Sequence, residues 1–95
     1  MATYIILSRV SPEALGDPQN FRKLAATVSE KIKKECPGVK WKESFVVMGR
    51  FDTVDIVESE DPHQVERAAM IIRGYGHSVT ETMLATPWKD FLARL

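Results

Sequence analysis

One cysteine and two histidines are all the thiol and imidazole chemistry this 95-residue chain holds. A lone Cys36 cannot close a disulfide within the chain, which excludes a disulfide-stapled scaffold and points to a reducing compartment. His63 and His77 have no second histidine or thiol at ligand spacing, so no metal site and no cofactor is expected. No charge sign prevails either: 13 Lys and Arg balance 13 Asp and Glu. A net basic balance of the kind that holds nucleic acid is therefore missing, and no nucleic-acid partner is expected. The apolar run at the start, Tyr4-Ile5-Ile6-Leu7, is too short for a membrane span or a signal-peptide core and has no charged lead. The expectation is a cytoplasmic protein with no membrane partner. Linkers, repeats and low-complexity stretches are also lacking, which leaves one domain over residues 1–95. The Gly74-x-Gly76 pair follows a helix pattern instead of opening one, so it is no dinucleotide fingerprint.

What is present is a clear alternation of elements. Hydrophobic residues make up 44 % of the chain, enough for a folded core. Residues 3–9 read as a strand that is apolar at both parities, the pattern of a central strand. A punctuated loop over 11–18 ends in Asp17-Pro18, a helix start. Phe21, Leu24, Ala25, Val28 and Ile32 then recur at helical spacing until Pro37-Gly38 stops the helix. Residues 39–48 and 53–58 read as two strands joined by the turn Gly49-Arg50-Phe51-Asp52. Asp61-Pro62 repeats the helix start, with Gln64 placed as in a capping box. Val65, Ala68, Ala69 and Ile72 form its stripe, and Gly74 and Gly76 end it. Residues 78–85 read as the last strand, and residues 86–95 as a short amphipathic tail carrying Trp88, Phe91, Leu92 and Leu95. This order predicts an α+β, ferredoxin-like β-α-β-β-α-β sandwich: a four-stranded antiparallel sheet with both helices on one face, plus the C-terminal helical tail.

Two helices leave the other sheet face bare, and an apolar face of several hundred Å² calls for a partner. Pairing with a second copy is the simplest closed solution. Residues 31–42 carry five lysines against Glu35 alone, whereas residues 52–66 carry six acidic residues and no lysine or arginine. Opposite-sign regions of this kind favour self-attraction. If Val54 and Ile56 face the helices, Asp55 faces the seam, and Tyr4, Ser8, Asp55 and Val57 are the seam residues expected. A carboxylate buried there needs a partner, which Ser8, Tyr4 or Thr53 could supply.

Gly49, Phe51 and Asp52 form the hairpin motif. Gly49 is expected to take a positive φ, and the Asp52 carboxylate to pin the hairpin through backbone N–H groups. Trp41 and Phe45, with His77 and Glu81 as polar groups, are the candidates for a ligand pocket. Glu81 points into the core if Val79 and Met83 are covered, and outward if Thr80, Thr82 and Leu84 are. Cys36 lies at a helix C-terminus, where the dipole disfavours a thiolate, so packing is its expected role. No residue set reads as a catalytic constellation.

Met48-Gly49-Arg50-Phe51-Asp52, followed by a β-branched strand ending Ile56-Val57-Glu58 and then the Asp61-Pro62 helix, resembles the bacterial GYD domain family. Tyr4-Ile5-Ile6-Leu7 and Thr80-Glu81-Thr82 fit the same pattern, so the likeness covers most of residues 3–85. Phe51 stands where that family has its tyrosine, and Asp55 where its pattern is apolar. The resemblance implies a dimeric α/β barrel, in which two ferredoxin-like sheets pack face to face. Relatives of that architecture include cofactor-free monooxygenases, haem-degrading enzymes and effector-binding domains, so the fold does not choose among functions. A homodimer that binds a small apolar ligand or regulates is the first expectation. A cofactor-free oxygenase or haem-handling enzyme comes second, and a structural or interaction module third.

Overall fold

β-Branched residues and tyrosine open the chain as strand β1 (Ala2–Val10), and Ser11 then caps a single helical turn, α1 (Pro12–Leu15). The computed structural model describes residues 1–95 throughout. Where the composition predicts only loop, the Ser11 hydroxyl accepts the Ala14 N–H at 3.3 Å and closes that turn. Gly16, at φ 54, ends it in a conformation that side chains rarely adopt.

Asp17 caps the long helix α2 (Pro18–Glu35), its carboxylate accepting the Asn20 N–H at 2.9 Å. Lys33 and Lys34 fall in the last turn, where the helix dipole favours cations. Strands β2 (Lys40–Val46) and β3 (Thr53–Ser59) form the hairpin. Asp61 then caps α3 (Pro62–Tyr75) through the His63 N–H at 2.9 Å. The expected capping box is not made. Gln64 Oε1 instead accepts the Gly38 N–H at 2.6 Å and ties the α2–β2 turn to α3. His77, at φ 47, turns the chain into strand β4 (Ser78–Ala85), and helix α4 (Trp88–Ala93) closes it. A side chain at Gly76 would run into the Ile72 carbonyl, so only glycine fits where α3 stops.

The strands pair antiparallel in the order β2-β3-β1-β4. Each long helix therefore carries the chain from a central strand to an outer one, and the protein is an α+β ferredoxin-like β-α-β-β-α-β sandwich. Register decides the faces. Tyr4, Ile6, Ser8 and Val10 share a parity, and the pairs Tyr4↔Val57 and Ile6↔Asp55 set Asp55 and Val57 beside them. This is the covered face: Ile6 and Val57 are 0 % exposed and pack with Ile32, Val65, Ala68 and Ile72. At roughly 1.5–3 kcal/mol per buried aliphatic side chain, this cluster holds sheet and helices together.

Neither long helix covers the other face. It presents Ile5, Leu7, Val54 and Ile56 from the two central strands, with Phe45, Val79 and Met83 from the outer ones. All four residues expected at a seam, Tyr4, Ser8, Asp55 and Val57, thus lie under the helices. β1 is apolar at both parities, so its pattern cannot tell one face from the other. In β3 the outward pair is the purely apolar one, Val54 and Ile56, and Asp55 is kept inside by hydrogen bonds. Helix α4 packs closely on no other element, and its Trp88 and Phe91 rings face each other at a tilt of 31°, centroids 6.0 Å apart.

Candidate functional site: a cleft beneath the first long helix

α2 leans on α3 and stands off the sheet. Its apolar stripe therefore roofs a cleft of about 580 Å³, with β1, β2 and β3 as the floor. Phe21, Leu24 and Val28, half-buried at helical spacing, come from the roof, while Trp41, Asp55 and Ser8 rise from the floor. Twelve of the 21 lining residues are hydrophobic, so the polar groups among them stand out.

Those polar groups are organised. The Trp41 indole N–H donates to Asp55 Oδ1 at 3.1 Å and to Ser44 Oγ at 2.9 Å, and the Ser44 hydroxyl donates to the same Asp55 Oδ1 at 2.6 Å. Both donors fall on one carboxylate oxygen and leave Oδ2 open. Ser8 is 3 % exposed, and its hydroxyl finds no hydrogen-bond partner among the protein's own groups. A buried hydroxyl without a partner costs about 1–3 kcal/mol, so its place in an apolar floor calls for an explanation. With Ser8 opposite Thr53 and Ile6 opposite Asp55, Ser8 and Asp55 are diagonal neighbours. Their backbone positions are thus roughly 7–8 Å apart, within reach of one small molecule.

Of the four residues expected to line a pocket, Trp41 forms part of this floor. Phe45 touches its edge but sits opposite Val54, half exposed on the uncovered face. His77 is exposed and outside the cleft, and its role is in the backbone: its carbonyl accepts the Ser11 N–H at 2.9 Å. Glu81 lies opposite Leu7 on the uncovered face, in a shallow hollow with Arg9, Arg50 and Phe51. Of the two alternatives for Glu81, the structure takes the outward one, because Thr80 and Thr82 pair with Ser8 and Ile6 on the covered side. Sequence reasoning missed Ser8, Ser44 and Asp55 as cleft groups. The available signal was a serine and an aspartate at matching parity in otherwise apolar strands.

The hairpin motif acts as a clasp at the end of the cleft floor. Asp52 Oδ2 accepts the Val10 N–H at 2.8 Å, the Asp52 N–H donates to the Ser8 carbonyl at 2.8 Å, and the Asp52 carbonyl accepts the Val47 N–H at 2.8 Å. Gly49 departs from expectation, since Gly16 is the glycine at positive φ and a side chain at Gly49 would meet open space. The turn is wide enough not to need the left-handed conformation there.

Cys36 is buried in the wall of the cleft, and desolvation pushes its thiol up, with Arg67 opposing the rise and Glu35 adding to it. His63 is raised chiefly by its 3.0 Å hydrogen bond to Glu66, then by the charges of Glu66 and Asp61. No three His, Cys, Asp or Glu side chains gather closely enough to hold a metal ion. No helix is long and apolar enough to cross a membrane. The cleft can hold an apolar body and offer hydrogen bonds at one end. Asp55 is the one carboxylate lining it.

Comparison with known proteins bears on the whole chain. The family model for the GYD domain matches residues 4–95. A Thermus thermophilus protein named glutamine synthetase and cystathionine beta-lyase binding protein is 29 % identical over 99 residues, covering 100 % of this chain and 99 % of its own. The crystal structure of TTHA0845 from Thermus thermophilus superposes with a TM-score of 0.57 at 22 % identity, over 92 % of this chain and 95 % of the other. The leucine response regulatory protein LrpA of Mycobacterium tuberculosis gives a TM-score of 0.61 at 11 % identity over 90 % of this chain. This chain spans about half, 51 %, of that regulator's length. The two structures share the fold.

Proposed function

The chain belongs to the GYD domain family, and from that premise we propose that it is a homodimeric binding module that takes a small apolar molecule into the cleft beneath α2. The observation that carries this reading is the buried Ser8 hydroxyl without a partner on the floor of that cleft. The cleft's volume falls within the range of ordinary ligand sites, and its lining combines an apolar majority with a few fixed polar groups.

The uncovered sheet face supports the homodimer. Ile5, Leu7, Val54 and Ile56 form its centre, and Phe45 and Met83, 50 % and 42 % exposed, extend it. Arg9, Lys40, Glu43, Glu58 and Glu81 stand at its ends and edges. An apolar centre with a charged rim is the anatomy of a protein interface. A second copy, sheet to sheet, buries it on both sides and completes a dimeric α/β barrel. Helix α4, with Trp88 71 % and Leu95 87 % exposed, reaches across to the partner in this arrangement. The buried, unpaired Cys36 suits the reducing cytoplasm.

The Thermus relative, named as a binding protein of two enzymes and aligned over the whole chain, favours a second reading in which the module docks on another protein and regulates it. Both readings make the protein a binding module.

A thermal-shift screen of small apolar compounds on the wild type and on Ala25→Trp tests the proposal, because Ala25 lines the cleft from an exposed position on α2. A ligand at a hundred times its Kd stabilises by about 2.7 kcal/mol. For a domain of this size that raises Tm by about 10 °C or more. The proposal expects such a rise in the wild type and its loss in Ala25→Trp. No rise with any compound, or an equal rise in the variant, overturns it.

A further inference from the structure

Resting on the cleft as a ligand site, we infer that it selects a molecule with a protonated amine on an apolar body and disfavours a carboxylate. The polar end of the cleft is built to accept hydrogen bonds. Asp55 is only 9 % exposed, and its Oδ1 is taken by Trp41 and Ser44 while its Oδ2 is free. Ser8 adds a hydroxyl oxygen on the neighbouring strand with no partner of its own. An ammonium head carries three donors, which matches two acceptor sites on adjacent strands.

The remaining lining excludes the opposite charge pattern. No arginine and no histidine lines the cleft, and its one cation, Lys33, is on an exposed position of the last turn of α2. A carboxylate head placed at the polar end would meet Asp55 with like charge in a largely apolar setting, which disfavours it. An amine there forms a charge-assisted hydrogen bond, stronger than a neutral one. An alcohol donates a single neutral bond and falls between the two.

The test is isothermal titration of the intact protein with 4-phenylbutylamine, 4-phenylbutanol and 4-phenylbutyrate at pH 7. The expected order is amine, then alcohol, then acid, with the amine about tenfold or more tighter than the acid. Asp55→Asn removes the charge and is expected to cut that ratio below about threefold. Ser8→Ala, which takes away a hydroxyl that no protein group uses, leaves the fold intact and is expected to weaken the amine by about threefold or more. Acid binding as tightly as amine overturns the inference and leaves the cleft as a ligand site. An amine-to-acid ratio unchanged in Asp55→Asn also overturns it. If that variant does not fold, full amine affinity in Ser8→Ala does so. Binding of none of the three compounds removes the inference and the cleft reading together.

Discussion

Asp52→Ala puts the hairpin motif to a measurable test, since the motif's aspartate acts as a clasp and not as a ligand-binding group. The wild-type carboxylate accepts the Val10 N–H at 2.8 Å, and Val10 is 8 % exposed. Truncation to alanine leaves that N–H buried with no acceptor from the side chain, a loss of about 2 kcal/mol. The two other bonds of Asp52, through its backbone N–H and carbonyl, survive the change. At about 4–8 °C of Tm per kcal/mol for a domain of this size, the variant melts about 8–16 °C below the wild type. Asp52→Asn keeps an oxygen in place but gives up the charge, so it falls about halfway between. Urea unfolding followed by far-ultraviolet circular dichroism reads both variants, with an unchanged m-value showing that the same surface is exposed on unfolding. Ligand affinity of each folded variant stays at the wild-type value. The clasp is refuted if Asp52→Ala unfolds within about 0.5 kcal/mol of the wild type, the range of an ordinary surface change. It is equally refuted if the asparagine variant is no better than the alanine one.

Other expectations follow from single residues. Ile56→Asp puts a charge in the centre of the uncovered face, opposite Ile5 and on the side away from the helices. It should convert a sedimenting dimer into a folded monomer, and a wild type that sediments as a monomer at micromolar concentration contradicts the pairing. Cys36 is 1 % exposed with its thiol pushed up by burial. Iodoacetamide at pH 8 should therefore alkylate the native protein more than about tenfold slower than the urea-unfolded chain, and equal rates would contradict the buried thiol. His63 is raised above its ordinary value by Glu66. Its contribution to stability is thus fully present below the unfolded value and fades as pH rises through the higher folded one. Proton NMR of the imidazole should show Glu66→Gln lowering the midpoint, while an unmoved midpoint would contradict the pair.

The order of elements was legible because its punctuation is local. Asp17-Pro18 and Asp61-Pro62 start helices by capping them, and both caps form through the carboxylates. Pro37-Gly38 stops the first long helix for equally local reasons. Faces were harder to read, since a strand apolar at both parities, such as Tyr4 to Leu7, gives no sign of which side the helices take. Asp55 shows the same ambiguity of faces. Its burial demanded partners, but Trp41 and Ser44 supply them, and on the helix side. The helical turn at Pro12–Leu15 hangs on one serine hydroxyl within a run of loop-forming residues. The cleft was out of reach for a different reason. It exists where α2 packs on α3 and stands off the sheet, a tertiary arrangement that no spacing within either segment reveals. Trp41 lines the cleft as large aromatics commonly do, whereas His77 and Glu81, whose side chains suggest pocket chemistry, lie elsewhere.

The chain contains two tryptophans, and only Trp41 lines the cleft. Trp88 lies on the exposed C-terminal helix. A nitrogen–proton correlation spectrum shows one indole peak for each, and titration with 4-phenylbutylamine while watching both is the most direct test of ligand binding beneath α2. The account predicts that the Trp41 indole resonance moves and saturates, because its N–H is held by the Asp55 carboxylate at the cleft's polar end, while that of Trp88 stays in place. Movement of Trp88 alone, or of neither peak up to millimolar ligand, would contradict it.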